Sequence, residues 1–456
     1  MSTIPAVFWL IFARKIGMKS SIWPLFFFLL SAHGYSHGNF EVVLKQNAIL
    51  AEKYLLQNIS RVDTPKGFVV ASPTKTDPNY YYHWVRDAAL TMQSLSITKT
   101  SNYYQPLVLN YIMLESEHQK INKLSDQGEP KFNPDGTAFS GPWGRPQNDG
   151  PALRALTLIK QANFLILQNR QSDALKLYAP VLPAKSPIKI DLEYVSNHWK
   201  TSDFDLWEEV KGNHFYTRSV QAYALAQGAD LARKLKDLEA AKWYEQQSKQ
   251  IHAALGLHWS VEKSIYQATL NSSAFRRKNN KESGLDSSVI LAVLHTHNLS
   301  SSYGFLDEKI MATFNQLEKK FKNLYPINQE VMTPPDGWPI LGAAIGRYPE
   351  DIYFGGHPWY LLTSGFAEFC YRYALLSNVT SVKNRWKLKG DQFLARVIFH
   401  LDAQGHQSEQ FNKITGAQLS AQDLTWSYAA YLTAYYWRNK LLTHPTANTR
   451  FQNSRL

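Results

Sequence analysis

Two adjacent carboxylates behind a tryptophan are the most chemically suggestive feature of this chain. They lie in Asp205-Leu206-Trp207-Glu208-Glu209-Val210, ahead of the turn pair Gly212-Asn213 and a helix-patterned run from Phe215 to about Leu235. An apolar wall and a like-charged neighbour both disfavour ionisation, so one acid in such a stretch can keep its proton near neutrality. That state is needed to protonate a poor leaving group such as a glycosidic oxygen. Taken alone, a Glu-Glu pair reads as a solvated surface feature, because acids are ordinarily exposed. Its weight depends on what the rest of the chain supplies.

The elements that must position these acids are helices. Phe40, Val43, Leu44, Ala48, Ala51 and Leu55 recur at three- and four-residue steps, the period of an amphipathic helix. Similar runs appear around Leu90 and Leu109, and over Leu153–Leu167, Val220–Leu235, Val289–Leu294, Phe366–Leu376 and Ala429–Leu442. Strand-like alternation is scarce. Asp286, Ser287 and Ser288 ahead of Val289 form a helix-start signal. Many amphipathic helices joined by glycine- and aromatic-rich loops predict helix packed on helix, with the functional site in the loops.

Four further stretches accompany the acid pair in order: PNYYYHWVRDAAL (78–90), WGRPQNDGPALRA (143–155), RYPEDIYFGGHPWYL (347–361) and SEQFNKITGAQLSAQDLTWSYAAYLTA (408–434). With DLWEEV and KGNHFYTRSVQAYAL they resemble the glucoamylases of glycoside hydrolase family 15, over about residues 40 to 440. The resemblance implies an all-α (α/α)6 barrel, six inner helices inside six outer ones. It also implies an exo-acting, inverting glucan 1,4-alpha-glucosidase that releases β-glucose from the non-reducing ends of starch-like α-glucans and maltooligosaccharides.

Inverting hydrolysis needs one carboxylic acid for the leaving oxygen and a second carboxylate to activate water from the opposite face, roughly 6.5–9.5 Å away. The resemblance places the acid at Glu208 and the base at Glu409, in Ser408-Glu409-Gln410. It implies sugar binding by Arg86 and Asp87, a tyrosine near the base at Tyr80, and a pocket wall at Trp84. Trp143 is implied to pack on the acid and the bound sugar, and Trp207 to border the acid. Arg347 is implied as a sugar-binding guanidinium, with Asp351 beside it and Trp359 lining the cleft. Asp205 and Glu209 flank the acid, where they would tune it or bind hydroxyls. Two departures stand out. Gly355-Gly356-His357 replaces the family's usual Asn-Gly-Asn, which implies an altered outer substrate contact, and His83 replaces what is often a threonine and reads as packing.

Composition narrows the alternatives. The net charge is +12, yet no basic stripe or nucleic-acid motif accompanies it, so no nucleic-acid partner is expected. The densest basic patch, Arg276, Arg277, Lys278 and Lys281, reads as a solvated loop. The 14 histidines show no metal-binding spacing and no phosphate loop is present, so neither metal nor cofactor is implied. Cys370 is the single cysteine and lies in an apolar run, which excludes an intrachain disulfide and reads as a buried thiol.

Lys19, the apolar stretch Ile22–Leu30 and the polar exit to Gly38 fit an export signal, with Met18 as an alternative start. The expected organisation is a signal segment over 1–38, one catalytic domain over 39–442 and a polar tail over 443–456. A secreted or periplasmic monomer with no stable membrane span after signal removal is expected. Two alternatives stay open at this level. One is a family member acting on dextran-like chains or trehalose, and the other is a non-catalytic glucan-binding module of the kind found in phosphorylase kinase regulatory subunits.

Overall fold

A helix that buries most of its surface needs other elements around it, and six helices among the described residues are of this kind. The computed structural model describes residues 39–98, 101–273, 281–296, 302–330 and 332–443. The six are α2 (Val85–Thr98), α4 (Asp149–Leu167), α7 (Phe215–Lys234), α9 (Ser288–His295), α11 (Tyr360–Leu376) and α13 (Thr425–Thr443). In α11 every residue from Tyr360 to Arg372 is buried, and in α9 every residue from Ser288 to Leu294. Each packs on the next in chain order, and α13 packs back on α2, which closes the ring.

A second helix lies outside each inner one. These are α1 (Phe40–Gln57), α3 (Ser101–His118), α6 (Pro187–His198), α8 (Leu238–Leu255), α10 (Glu308–Leu324) and α12 (Thr380–Phe399). They pack on α13, α2, α4, α7, α9 and α11 respectively. A short α5 (Gln171–Leu177) packs on α4 and α6. The outer helices bury a single stripe: Ile310, Phe314, Leu317 and Phe321 in α10, and Ala240, Tyr244, Gln247 and Ile251 in α8. This double ring is the expected (α/α)6 architecture. The α9 start follows the sequence signal, with Ser287 at the cap and the Asp286 carboxylate accepting from Ser288 N–H at 2.8 Å.

Short antiparallel pairs dress the connections that enter the inner helices. They are β1–β2 (His83–Trp84 with Lys131–Phe132), β3–β4 (Asp203–Phe204 with Lys211–His214) and β8–β9 (Gln410–Phe411 with Gln418–Leu419). β4 also pairs with β7 (Thr269–Ser273), while β5 and β6 (Trp259–Ser260, Ile265–Tyr266) form a separate ribbon.

His83 does more than pack. It is fully buried, accepts from Val69 N–H through Nδ1 at 3.0 Å, and meets Glu115 through Nε2 at 2.8 Å. Glu115 also meets His118 Nδ1 at 3.1 Å and Arg154 at 2.9 Å. The ligand atoms of His83, Glu115 and His118 lie within 4.8 Å of one another. With Nδ1 accepting, the neutral His83 ring carries its proton on Nε2, towards Glu115. The second Glu115 oxygen is taken by Arg154, so the cluster is built to share protons rather than lend lone pairs to an ion. Cys370 is buried as expected, and burial pushes its thiol up.

The basic patch divides: Arg276, Arg277 and Lys278 lie outside the described residues, as does segment 1–38. Lys281 contradicts the solvated-loop expectation, because it is largely buried between two carboxylates. Among the described residues no helix is long and apolar enough to cross a membrane.

Arg154 joins three helices of the double ring. Its guanidinium donates to both Asp191 oxygens, at 2.6 and 2.9 Å, and to Glu115. Arg154→Met would leave two buried carboxylates without their cation, a loss of about 3–5 kcal/mol. Urea unfolding should show a lower midpoint with an unchanged slope.

Candidate active site

Segments that enter five of the inner helices, all but α9, line a pocket of ≈ 1450 Å³. Its lining contains Tyr80, Trp84, Arg86, Asp87, Trp143, Trp207, Glu208, Glu209, Arg347, Trp359 and Glu409. Helix N-termini present unpaired N–H groups and partial positive charge, so this is the end of the barrel that best tolerates clustered acids.

Glu208 sits in the six-residue loop of the β3–β4 hairpin. The loop closes through Glu208 N–H to Asp205 O at 2.8 Å and Asp205 N–H to Val210 O at 2.9 Å. Its tightness forces Glu208 into the left-handed region, at φ 66. The carboxylate meets N–H donors rather than the apolar wall expected from sequence. Oε1 accepts from Trp84 Nε1 (2.6 Å), Gln147 (3.0 Å) and Arg86 (3.4 Å), and Oε2 from Trp143 Nε1 (2.7 Å).

The like-charged neighbour is turned away as well. Glu209 accepts from Arg347 at 2.9 Å and from the Tyr348 hydroxyl at 2.5 Å. Burial still pushes the Glu209 carboxyl up, with Arg347 opposing.

Glu409 immediately precedes the β8–β9 hairpin, and Ser420 immediately follows it. The fold thus brings the Ser420 hydroxyl onto Glu409 Oε2, where Gln410 also donates at 3.2 Å. A bridge from Trp359 to Gln410 and the bond from Tyr360 N–H to Glu409 O (3.3 Å) pin this hairpin to the start of α11. Burial pushes the Glu409 carboxyl up to about 7, against Ser420, the Arg347 charge and the Tyr80 hydroxyl. Tyr80 bonds Tyr353 at 2.6 Å.

The remaining expected residues divide between lining and support. Asp87 faces the pocket, and burial pushes its carboxyl up to about 7 against the neighbouring Arg86. Arg86 is largely committed to protein, at 2.8 Å from Asp149 and 3.1 Å from Gln147, which modifies the expected hydroxyl-gripping role. Trp207 donates to Asp286 at 2.9 Å, and its ring tilts against Trp359 at 5.6 Å.

Asp205 and Asp351 do not line the pocket. Asp205 accepts the backbone N–H groups of Glu209 and Val210, and Asp351 clamps Arg347 at 2.6 and 2.8 Å. Both are spent on positioning, because every one of these donors is buried or partly buried and needs an acceptor. In the Gly355-Gly356-His357 departure, Gly355 is exposed while Gly356 and His357 are buried. His357 accepts from Lys413 N–H at 3.1 Å, and a Cβ on Gly356 would stand 1.8 Å from Asp351 O.

Several contributors carry no local sequence signal of their role. Lys131 is buried beneath the acid, its Nζ 3.3 Å from the Trp143 ring centre and 4.2 to 4.5 Å from those of Tyr82, Phe139 and Trp84. Burial pushes its ammonium down to about 8, with Glu208 opposing. Gln147, Tyr348, Tyr353 and Ser420 complete the shell. Gln147 lies within WGRPQNDG and Ser420 within LSAQD, so the motifs contained them without marking them.

A carboxylate held by N–H donors, a second carboxylate in the lining of the same aromatic-walled pocket and buried guanidiniums are the kinds of group that glycoside hydrolysis uses. Residues 50–379 and 372–436 match the family model for glycosyl hydrolases family 15. The chain belongs to glycoside hydrolase family 15. Among family 15 relatives, it is 34% identical to a glucoamylase of Blastobotrys adeninivorans, over 86% of this chain and 70% of that protein. It is 31% identical to a probable glucoamylase of Schizosaccharomyces pombe, over 86% of this chain and 90% of that one. The glucoamylase structure from Saccharomycopsis fibuligera superposes with a TM-score of 0.78 at 30% identity, covering 90% of this chain and 98% of that chain. The Hypocrea jecorina family 15 glucoamylase gives 0.77 at 29% identity, covering 88% and 73%.

Ser420 generates a pH prediction. A hydrogen bond to the ionised form favours ionisation, so Ser420→Ala should raise the Glu409 pKa. In the base role that the family resemblance implies, Glu409 must be ionised to act, so the acid-side limb of kcat/KM should move to higher pH. A charge-assisted bond of about 1.5–3 kcal/mol corresponds to a shift of about one to two units. Initial rates on maltose across pH would measure it.

Proposed function

We propose that this family 15 hydrolase is an exo-acting glucan 1,4-alpha-glucosidase that inverts at the anomeric carbon and releases β-glucose from starch-like chains. The observation that carries this reading is the different dress of two carboxylates facing one pocket. Three donors occupy Glu208 Oε1, leaving Oε2, which meets only Trp143, to carry the proton for the leaving oxygen. Ser420 and Gln410 hold Glu409 Oε2, leaving Oε1 to accept a proton from water. Glu208 protonates the glycosidic oxygen as its bond to carbon breaks, and the water activated by Glu409 attacks from the opposite face. Asp87 supplies acceptors for sugar hydroxyls. The N-terminal apolar stretch supports export of the enzyme.

Glu208→Gln should fold normally and lose at least about 10²-fold in kcat on maltose, the ordinary scale for a general acid. Near-normal turnover by the folded variant would remove the acid assignment.

Stereochemistry tests the pair. If water is the nucleophile, displacement occurs once and maltose should release β-glucose first, with the α-anomer following by mutarotation. A nucleophilic Glu409 would retain configuration. Proton NMR of early hydrolysis resolves the two, and initial accumulation of α-glucose would overturn the base role.

A further inference from the structure

We infer that Lys281 is a positioning residue for the general acid, the cation that holds the Asp205–Val210 turn in its working shape. This rests on the assignment of Glu208 as the acid. Nothing in the sequence near Lys281 points to the site, which is built from a hairpin more than seventy residues upstream.

The turn needs holding. A non-glycine residue at positive φ, as Glu208 is, holds a sparsely populated conformation that persists only where its surroundings over-determine it. Two carboxylates do this work. Asp205 Oδ1 accepts Glu209 N–H at 2.8 Å and Val210 N–H at 3.0 Å, which fixes the backbone just after the acid. Asp286 takes the Trp207 indole N–H at 2.9 and 3.1 Å, which fixes the residue just before it.

Both carboxylates are buried, at 2% and 1% exposure, and two buried negative charges side by side require a cation. Lys281 Nζ lies 2.8 Å from Asp205 Oδ2, the oxygen not used by the two backbone N–H groups, and 2.8 Å from Asp286 Oδ2, which it shares with the Trp207 indole. Burial alone would raise the Asp205 carboxyl; Lys281 and His214 reverse that and hold it down at about 2.

The ammonium also sits 4.2 Å from the centre of the Tyr348 ring, whose hydroxyl donates to Glu209. One point charge thus braces the turn from three sides. An ammonium suits this better than a planar guanidinium, because its three protons can be shared among partners that are not coplanar.

The test separates acid positioning from general stability by choice of leaving group. Maltose needs a proton on its departing oxygen, whereas fluoride leaves α-glucosyl fluoride with far less help from the acid. Lys281→Met should lower kcat on maltose by about 10- to 100-fold, the effect of misplacing a catalytic group by a fraction of an ångström to an ångström. Turnover of α-glucosyl fluoride should fall much less, so the maltose-to-fluoride ratio of kcat falls. An unchanged ratio in the folded variant, whether through equal losses or none, would overturn the proposal.

Glu208→Gln is measured in parallel on both substrates. If it loses both equally, the acid assignment itself fails; if it is selective and Lys281→Met is not, only the role of Lys281 fails. Should Lys281→Met not accumulate as folded protein, Lys281→Gln replaces it. The amide keeps hydrogen-bond donors between Asp205 and Asp286 but removes the charge, and the same ratio decides.

Discussion

Charge balance among closely spaced, mostly buried carboxylates is the constraint on which this structure depends. The pocket and its walls hold Asp87, Asp149, Asp205, Glu208, Glu209, Asp286, Asp351 and Glu409, and a buried carboxylate without a cation would take up a proton or open the fold. Among the described residues, three buried cations limit this for all of these acids but Glu409, each cation shared by at least two of them. Arg86 serves Asp149 and approaches Asp87 and Glu208; Arg347 serves Asp351 and Glu209; Lys281 serves Asp205 and Asp286. Sharing matters because a cation tied to several partners loses little further freedom with each one. It also leaves each acid a distinct surrounding, which is how carboxylates of one chemical type take different tasks.

The helical ring is what makes such sharing possible. Six buried helices cannot present polar side chains along their length without cost, so the acids and bases collect where the chain enters them. Hairpins at these entries then act as brackets. β3–β4 carries Glu208 in its loop, and β8–β9 carries Glu409 at one foot and Ser420 at the other. A hairpin fixes the relative placement of its two feet by backbone hydrogen bonds, so Ser420 meets Glu409 without long-range adjustment.

Aromatic side chains supply the rest of the wall, and their polar edges are used as well as their faces. Trp84 and Trp143 each donate an indole N–H to a different oxygen of Glu208, while their rings flank the Lys131 ammonium. A cation against the face of an indole is favourable, so the rings that orient the acid also harbour a positive charge beneath it. The acid is therefore set between N–H edges on one side and a caged ammonium behind them.

Much of this was legible in the chain itself. All six inner helices appear as apolar periodic runs, because burial on every side selects apolar residues at nearly every position. The motif stretches contain Glu208, Glu409 and most of the residues that line the pocket. The outer helices α6, α8, α10 and α12 were not marked, since a single buried stripe among lysines and glutamates gives a weak signal. What tertiary structure alone decided is which polar group answers which. Asp205 reads as tuning the acid or binding hydroxyls and takes backbone N–H groups, Asp351 reads as a neighbour of Arg347 and clamps it, and Lys281 reads as solvated but lies between buried acids. Residue type and local period are written along the chain, whereas the partner of a buried charge is set by closure of the ring, which joins Lys281 to Asp205 and Trp84 to Glu208 across long stretches of sequence.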